Sequence, residues 1–296
     1  MKRLPPVLML LVFAGGCAEQ PVGKVLVYEV DSGPGPDSDS QLADKKVVAK
    51  VVAALDRRIN PDWTKRARIR PLGEGQIEIA VYGNDPEMVE RIERFAESGG
   101  TLEFRILANR RDHLALIEQA EQDEGKTLHD ADGNLLAWWV PVAPDQKEGF
   151  GLQGEIAHRT RTVRGKEQLE ILVVKDPFDV TDAYLIRATA DVDQTGRPGV
   201  ILALNRAGGT LFGGLTGNNR PDPVTGFSRR LGIIRDGSLH SAPAIRSTIR
   251  DHVQITGDFT QQEVEDLVDV FNSGSLPAVL RKVEESSSET TREKGT

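Results

Sequence analysis

Between Val25 and Leu107 the apolar residues alternate with a period of two, change to a period of 3.6, and do so twice before returning to two. Few folds accept that order. Val25 to Val30 reads as a strand, and Val48, Val51, Val52, Leu55 and Ile59 share one face of a helix that Asn60-Pro61 ends. Ala67-Ile69 and Ile77-Ile79-Val81 alternate on either side of Gly73-Glu74-Gly75, as in a hairpin with one buried face. Asp85-Pro86 supplies a cap and a first helical residue, Val89, Ile92 and Phe95 line the helix, and Gly99-Gly100 end it before the strand Leu102, Phe104, Ile106. Strand, helix, strand, strand, helix, strand is the split β-α-β arrangement of ferredoxin-like folds, so residues 24–108 are predicted to form a base subdomain.

From Asn109 the chain turns hairpin-rich, and residues 109–252 read as an inserted α+β head subdomain. Its hinges would lie at Asn109 and at Asp251, His252 and Val253, where the chain crosses. Leu231 to Arg235, Asp236-Gly237 and Ser238-Leu239-His240 form a strand, a positive-φ turn and a second strand. Thr260 and Glu263 have capping-box spacing, with Phe259 placed to staple onto Val264; Val264, Leu267, Val268 and Phe271 line the helix, and Gly274 and Pro277 stop it. Residues 253–283 are expected to return to the base and residues 284–296 to be a disordered polar tail. The fold class is α+β, a ferredoxin-like base with an inserted head.

The formal charge is −8 and no basic stripe is interleaved with aromatics, which excludes nucleic acid as the expected partner. Lys2-Arg3, the apolar run Leu4 to Phe13 and the small residues Ala14-Gly15-Gly16 lead to Cys17, the sole cysteine. Residues 1–17 therefore resemble a lipoprotein signal, with lipid attachment at Cys17 and a location on a membrane of the cell envelope. No catalytic, cofactor or metal residues emerge. His129, Asp130, Asp132 and Asn134 lack the glycine and terminal glutamate of a calcium loop, as Asp191 and Asp193 lack the glutamate, and Gly208 to Gly214 is not followed by a phosphate-binding lysine. The expected activity is binding rather than catalysis. Trp138-Trp139, adjacent in a strand, are the candidate polypeptide-binding surface, where an extended chain could add along a free strand edge.

Three segments, LGIIRDGSLHSAPAI (Leu231 to Ile245), QITGDFT (Gln254 to Thr260) and SGSLPAVL (Ser273 to Leu280), resemble in order and spacing the large periplasmic domain of SecD and SecDF, accessory subunits of the bacterial Sec protein-export machinery. VLVYEV, LDRRIN (Leu55 to Asn60), GGTLEFRIL (Gly99 to Leu107) and GRPGVILALN (Gly196 to Asn205) extend the similarity over nearly the whole chain after Cys17. The resemblance implies a base and an inserted head that swings on it, holding translocating unfolded preprotein. It implies unfolded preproteins, the Sec translocon or full-length SecD and SecF as partners, and a periplasm-facing position. In the family, membrane helices flank this domain and carry the proton-coupling residues. Here a lipoprotein-like signal stands in place of the first, so the expectation is an accessory without its own proton-conducting part. The alternative is an envelope lipoprotein binding module unrelated to the translocon.

Overall fold

The computed structural model describes residues 21–31, 45–61, 64–73, 75–144, 155–163, 165–250 and 252–287. The signal segment, Cys17 and Asp251 lie outside them. Three sheets organise the described residues. The first is antiparallel and four-stranded, built from β1 (Val22–Asp31), β2 (Ala67–Pro71), β3 (Gln76–Tyr82) and β15 (Val279–Ser287), in the order β15-β1-β3-β2. Helices α1 (Lys45–Ile59) and α2 (Pro86–Glu97) pack with it through Val48, Val51, Leu55, Ile92 and Phe95, all buried. Asp85 caps α2, its side chain accepting from the Glu87 backbone N–H at 3.1 Å.

The sheet corrects one expectation. β4 (Leu102–Leu107) does not close it; β15 occupies that edge, and β4 pairs instead with β12 (Leu231–Arg235) and β8 (Lys166–Val174). Leu102, Phe104 and Ile106 face the main core, while Leu107 and the ion-paired Arg105 face the other way, and both faces are buried, so β4 lies inside a sheet with a strand on each side rather than at an edge. β15 also reaches Ser287, so Glu284 to Ser287 belong to a strand rather than to a tail.

The second sheet is eight-stranded. Its path is β13 (Ser238–Ser241), β12, β4, β8, β6 (Leu135–Pro141) and β5 (Thr127–His129), with β7 (His158–Val163) beside β8 and the short β9 (Val180–Thr181) beside β4. α3 (Leu114–Gln122) lies in the chain between β4 and β5. Val142, just past β6, bridges Leu239 of β13, and the Ala143 N–H donates to Leu239 O at 3.0 Å, so the sheet curls back toward its own far strand. The curl encloses a separate apolar cluster of Leu107, Val140, Val142, Ile171, Val173, Ile234 and Leu239.

The third sheet, β10 (Leu185–Val192), β11 (Pro198–Leu204) and β14 (His252–Thr256), buries Ala188, Leu202, Val253 and Ile255. α4 (Arg206–Asn218) follows β11, and α5 (Gln261–Ser273) lies along β10. The Asn272 side-chain amide accepts from Ala188 N–H at 2.8 Å and donates to Ala188 O at 3.0 Å, occupying the edge of β10 as a neighbouring strand would. The Phe212 ring of α4 meets Phe104 edge-on at 5.1 Å, joining the second sheet to the helix beside it in the main core. Phe212→Ala should lower the unfolding free energy by about 3–5 kcal/mol, read as a lower urea midpoint.

Candidate functional site

α1, α2 and α5 end at one place, and the Arg58 guanidinium sits between their ends. Its Nη1 donates to Phe95 O at 2.8 Å and Ser98 O at 2.6 Å, closing α2. Its Nε donates to Ser273 Oγ at 2.9 Å and its Nη2 to Gly274 O at 2.8 Å, closing α5. The side chain is fully buried, and burial is the main cause that pushes its pKa down to about 10. None of these four acceptors is a carboxylate. The compensation comes from carbonyls at helix C-termini, where the peptide dipoles leave partial negative charge, and from the Ser273 hydroxyl, with the Asp236 charge adding to it.

Sequence reasoning missed Arg58, although a signal was present: position 58 continues the spacing of Val51 and Leu55 on the face that α1 buries. A cation at a position that periodicity makes internal must find partners there.

The same junction holds both segments by which the chain leaves the first sheet. Leu276 N–H donates to Gly99 O at 2.6 Å, setting the segment after α5 beside the segment after α2. Gly100 has φ +75°, and a Cβ there would stand 2.7 Å from Arg58 Nη2, so both conformation and space require glycine. Asp236, in the left-handed region at φ 49°, accepts from Thr101 N–H at 2.9 Å and from Ser98 Oγ at 2.9 Å. The Asp-Gly turn of the β12–β13 hairpin thus clasps the link from α2 to β4.

Beside this junction is an open cleft of about 400 Å³ whose lining includes Leu102, Ile233, Ile255, Phe259, Leu267 and Phe271. α2, α5, the β12–β13 hairpin and the end of β14 each supply part of it. Arg94, Glu97, Asp236, His240 and Glu263 are among its polar lining groups. Phe259 is placed by the α5 capping box, in which the Glu263 carboxylate accepts from Thr260 N–H at 2.8 Å and Thr260 Oγ accepts from Glu263 N–H at 3.2 Å. Asp266 ties α5 to α2 through Arg94 at 2.8 Å and Arg91 at 2.7 Å.

The residues singled out from sequence lie elsewhere. Trp139 is 2% exposed, with the Arg159 guanidinium 4.4 Å over its ring, and Trp138 packs against the second cluster with Arg105 at 5.1 Å. β6 is paired on both sides, by β5 and β8, so it offers no free edge for an added strand. Asn109 is buried in a fixed turn, its Oδ1 accepting from Arg111 N–H at 3.1 Å and Asp112 N–H at 3.0 Å and its own N–H donating to His113 Nδ1 at 3.2 Å. His252 and Val253 are paired within β14. In the structure the chain leaves the first sheet at Ser98–Thr101 and rejoins it after Ser273. Asp130 accepts from the Asn134 side-chain amide at 2.9 Å and from turn N–H groups at 2.8–2.9 Å, and Asp193 from the Thr195 hydroxyl at 2.6 Å and from turn N–H groups at 2.7–3.0 Å; these bonds hold both carboxyls below the usual range.

Arg58→Met should leave buried carbonyls unpaired and cost about 3–5 kcal/mol of stability, with faster amide exchange at Thr101 and Leu276 than at β3. A second expectation concerns pH. Burial, aided by the charge of Arg229, lowers His113 below its ordinary 6.5, against the pull of Asp112. The unfolded chain then takes up the proton first as pH falls, so stability is full above about pH 7 and declines as pH drops through 6.5 toward the folded pKa. His113→Gln should flatten that part of a plot of unfolding midpoint against pH.

Comparison with known proteins adds identity to this geometry. Residues 157–278 match the family described as SecDF, P1 head subdomain. The chain is 37% identical over 254 residues to the protein translocase subunit SecD of Rickettsia prowazekii (strain Madrid E), covering 84% of this chain and 41% of that protein. It is 33% identical over 182 residues to SecD of Aquifex aeolicus (strain VF5), covering 62% of this chain and 33% of that one. The crystal structure of SecDF in its super-membrane-facing form superposes with a TM-score of 0.58 at 23% identity, over 91% of this chain and 32% of that chain. A structure of SecDF described as a membrane component that enhances protein export gives 0.54 at 24% identity, over 88% of this chain and 98% of that one. Those two likenesses establish a shared fold. The chain spans 33% to 50% of the length of the curated relatives it matches. It belongs to the SecD/SecDF family of protein-export subunits, as a relative of the family's periplasmic domain.

Proposed function

We propose that this chain acts on the periplasmic side of protein export, binding unfolded preprotein in the cleft beside Arg58 and changing its grip as the inserted head moves on the base. The observation that supports the reading most is the position of the cleft. Its apolar lining is drawn from both sides of the junction where Ser98–Thr101 and Ser273–Ala278 run together, so a rotation there alters its width. A translocating chain is unfolded and presents apolar side chains without a fixed sequence. An open cleft with an apolar floor and charged rim suits such a client better than a closed pocket does.

In this reading the partners are unfolded preproteins and the Sec translocon or a full-length SecD and SecF, and Cys17 carries the lipid that holds the chain to an envelope membrane. No described helix is long and apolar enough to cross a membrane. The role is binding rather than catalysis. The test is in-cell photocrosslinking from a photoreactive residue replacing Phe259, which is half-buried in the cleft wall. Capture of nascent exported proteins or translocon subunits is the expected result. A set of envelope proteins with no export client and no translocon subunit would turn the assignment to a binding module with a different envelope task.

A further inference from the structure

α4 buries Gly208, Gly209, Phe212, Gly213, Leu215 and Thr216 and turns its other side outward. The segment 246–250 runs antiparallel along it. Ile249 N–H donates to Thr216 Oγ at 2.9 Å, Thr248 lies against Gly217, and the Arg250 side chain lies over Gly213, where a Cβ would stand 2.9 Å from Arg250 Cγ. This packing sets Arg250 alongside the helix and Arg246 in the same segment toward the helix C-terminus, with Arg206 at the first residue of α4 and Arg220 just beyond its last.

These four arginines are exposed and make no ion pair or side-chain hydrogen bond among the described residues. Arg70, Arg91, Arg94, Arg105, Arg110, Arg159 and Arg197 elsewhere are all ion-paired. Residues 206–250 hold seven arginines, no lysine and two carboxylates, a formal +5 within a chain of −8. Both carboxylates are engaged by backbone, Asp222 by Val224 and Thr225 N–H at 2.9 and 2.7 Å, and Asp236 by Thr101. Arg206 begins α4, whose first turn holds no acid, where the helix dipole favours anions. Cations kept against local preference, without internal partners, point to a partner outside the chain.

Apolar side chains share this surface. Val224 is 90% exposed at a loop tip that Asp222 holds in shape, and Ile249, next to Arg250, is 37% exposed. Arginines interleaved with exposed aliphatic side chains match the headgroup boundary of an anionic bilayer, which takes charge and apolar groups together. An acidic polypeptide would use the arginines and leave Val224 in water. Nucleic acid would call for exposed aromatic rings, and the ring here, Phe227, is half-buried under Arg111 at 4.5 Å.

We propose that the α4 face, through Arg206, Arg220, Arg246 and Arg250 with Val224 as an apolar contact, docks on the anionic headgroup surface of a bilayer and so orients the head. The inference does not depend on preprotein binding. The test uses the whole chain with Cys17→Ser and Val224→Cys, the new thiol bearing an environment-sensitive fluorophore. Vesicles of phosphatidylcholine containing about one-third phosphatidylglycerol are compared with phosphatidylcholine alone, at low and raised salt.

The expected result is a blue shift on anionic vesicles that raised salt removes, with partition falling about fivefold for each arginine replaced. Arg246→Gln/Arg250→Gln should therefore partition about 25-fold more weakly at an unchanged urea midpoint, and Arg68→Gln on the base sheet should not differ. Because all variants share the same residues 1–20, with Cys17→Ser, any vesicle affinity of the N-terminal segment cancels between them. Equal shifts on neutral and anionic vesicles, or an anionic shift that the double variant retains, would overturn the proposal. A shift given only by polyglutamate would assign the face to an acidic polypeptide instead.

Discussion

A fully buried guanidinium ties together the ends of three helices in this structure. Taking an arginine out of water costs several kcal/mol unless the new surroundings return comparable electrostatic stabilisation. Arg58 obtains it from carbonyls at the ends of α2 and α5 while standing in the last turn of α1, so three helix C-termini share one positive charge. That geometry forces the helices to end together. It brings the two segments that leave the first sheet within a hydrogen bond of each other, and it leaves room for glycine alone at position 100.

The layers around the junction follow from what each strand must bury. β4 and β8 lie inside the second sheet, with the main core on one side and the enclosed cluster on the other; β8 is apolar on both faces at its end, while β4 offers Leu102, Phe104 and Ile106 to the core and Leu107 beside the ion-paired Arg105 to the cluster side. Trp138 and Trp139 divide between those two clusters, because consecutive strand residues face opposite ways. Each indole carries an arginine over its ring, so the pair that looked like a surface for extended polypeptide is packing between layers. α5 has a double attachment, to α2 through Asp266 and to β10 through the Asn272 amide. It is the element through which movement of the third sheet would reach the base.

Family membership and physical reading converge on the same place from different directions. The head-subdomain match runs to residue 278, close to where the chain returns to the first sheet, and the cleft lies beside that return. The charge distribution adds a second axis. Arg91, Arg94, Arg159 and Arg229 are neutralised in place, whereas Arg206, Arg220, Arg246 and Arg250 make no ion pair among the described residues, which gives an acidic chain a cationic face beside α4.

Local elements were legible in the sequence because their causes are local. The 3.6 period of α1 and α2, the Asp85 cap, the Thr260–Glu263 capping box and the Asp236-Gly237 turn each need only residues a few positions apart. The α+β class followed from the same local periods, and the return of the last strand to the first sheet, a pairing of β15 with β1 across nearly the whole chain, was also expected. The partner of β4, the burial of both tryptophans and the placing of the junction were decided only in three dimensions. Alternation says which residues of a strand want cover, yet not which strand supplies it, since pairing energy is nearly the same for any apolar neighbour in register. The long-range choice fell to total burial: β4 went where both its faces are covered, and β15, with charged residues facing water, took the exposed edge. Arg58 lies between these cases, its internal position written in the helical period and its acceptors set by where two distant helices stop.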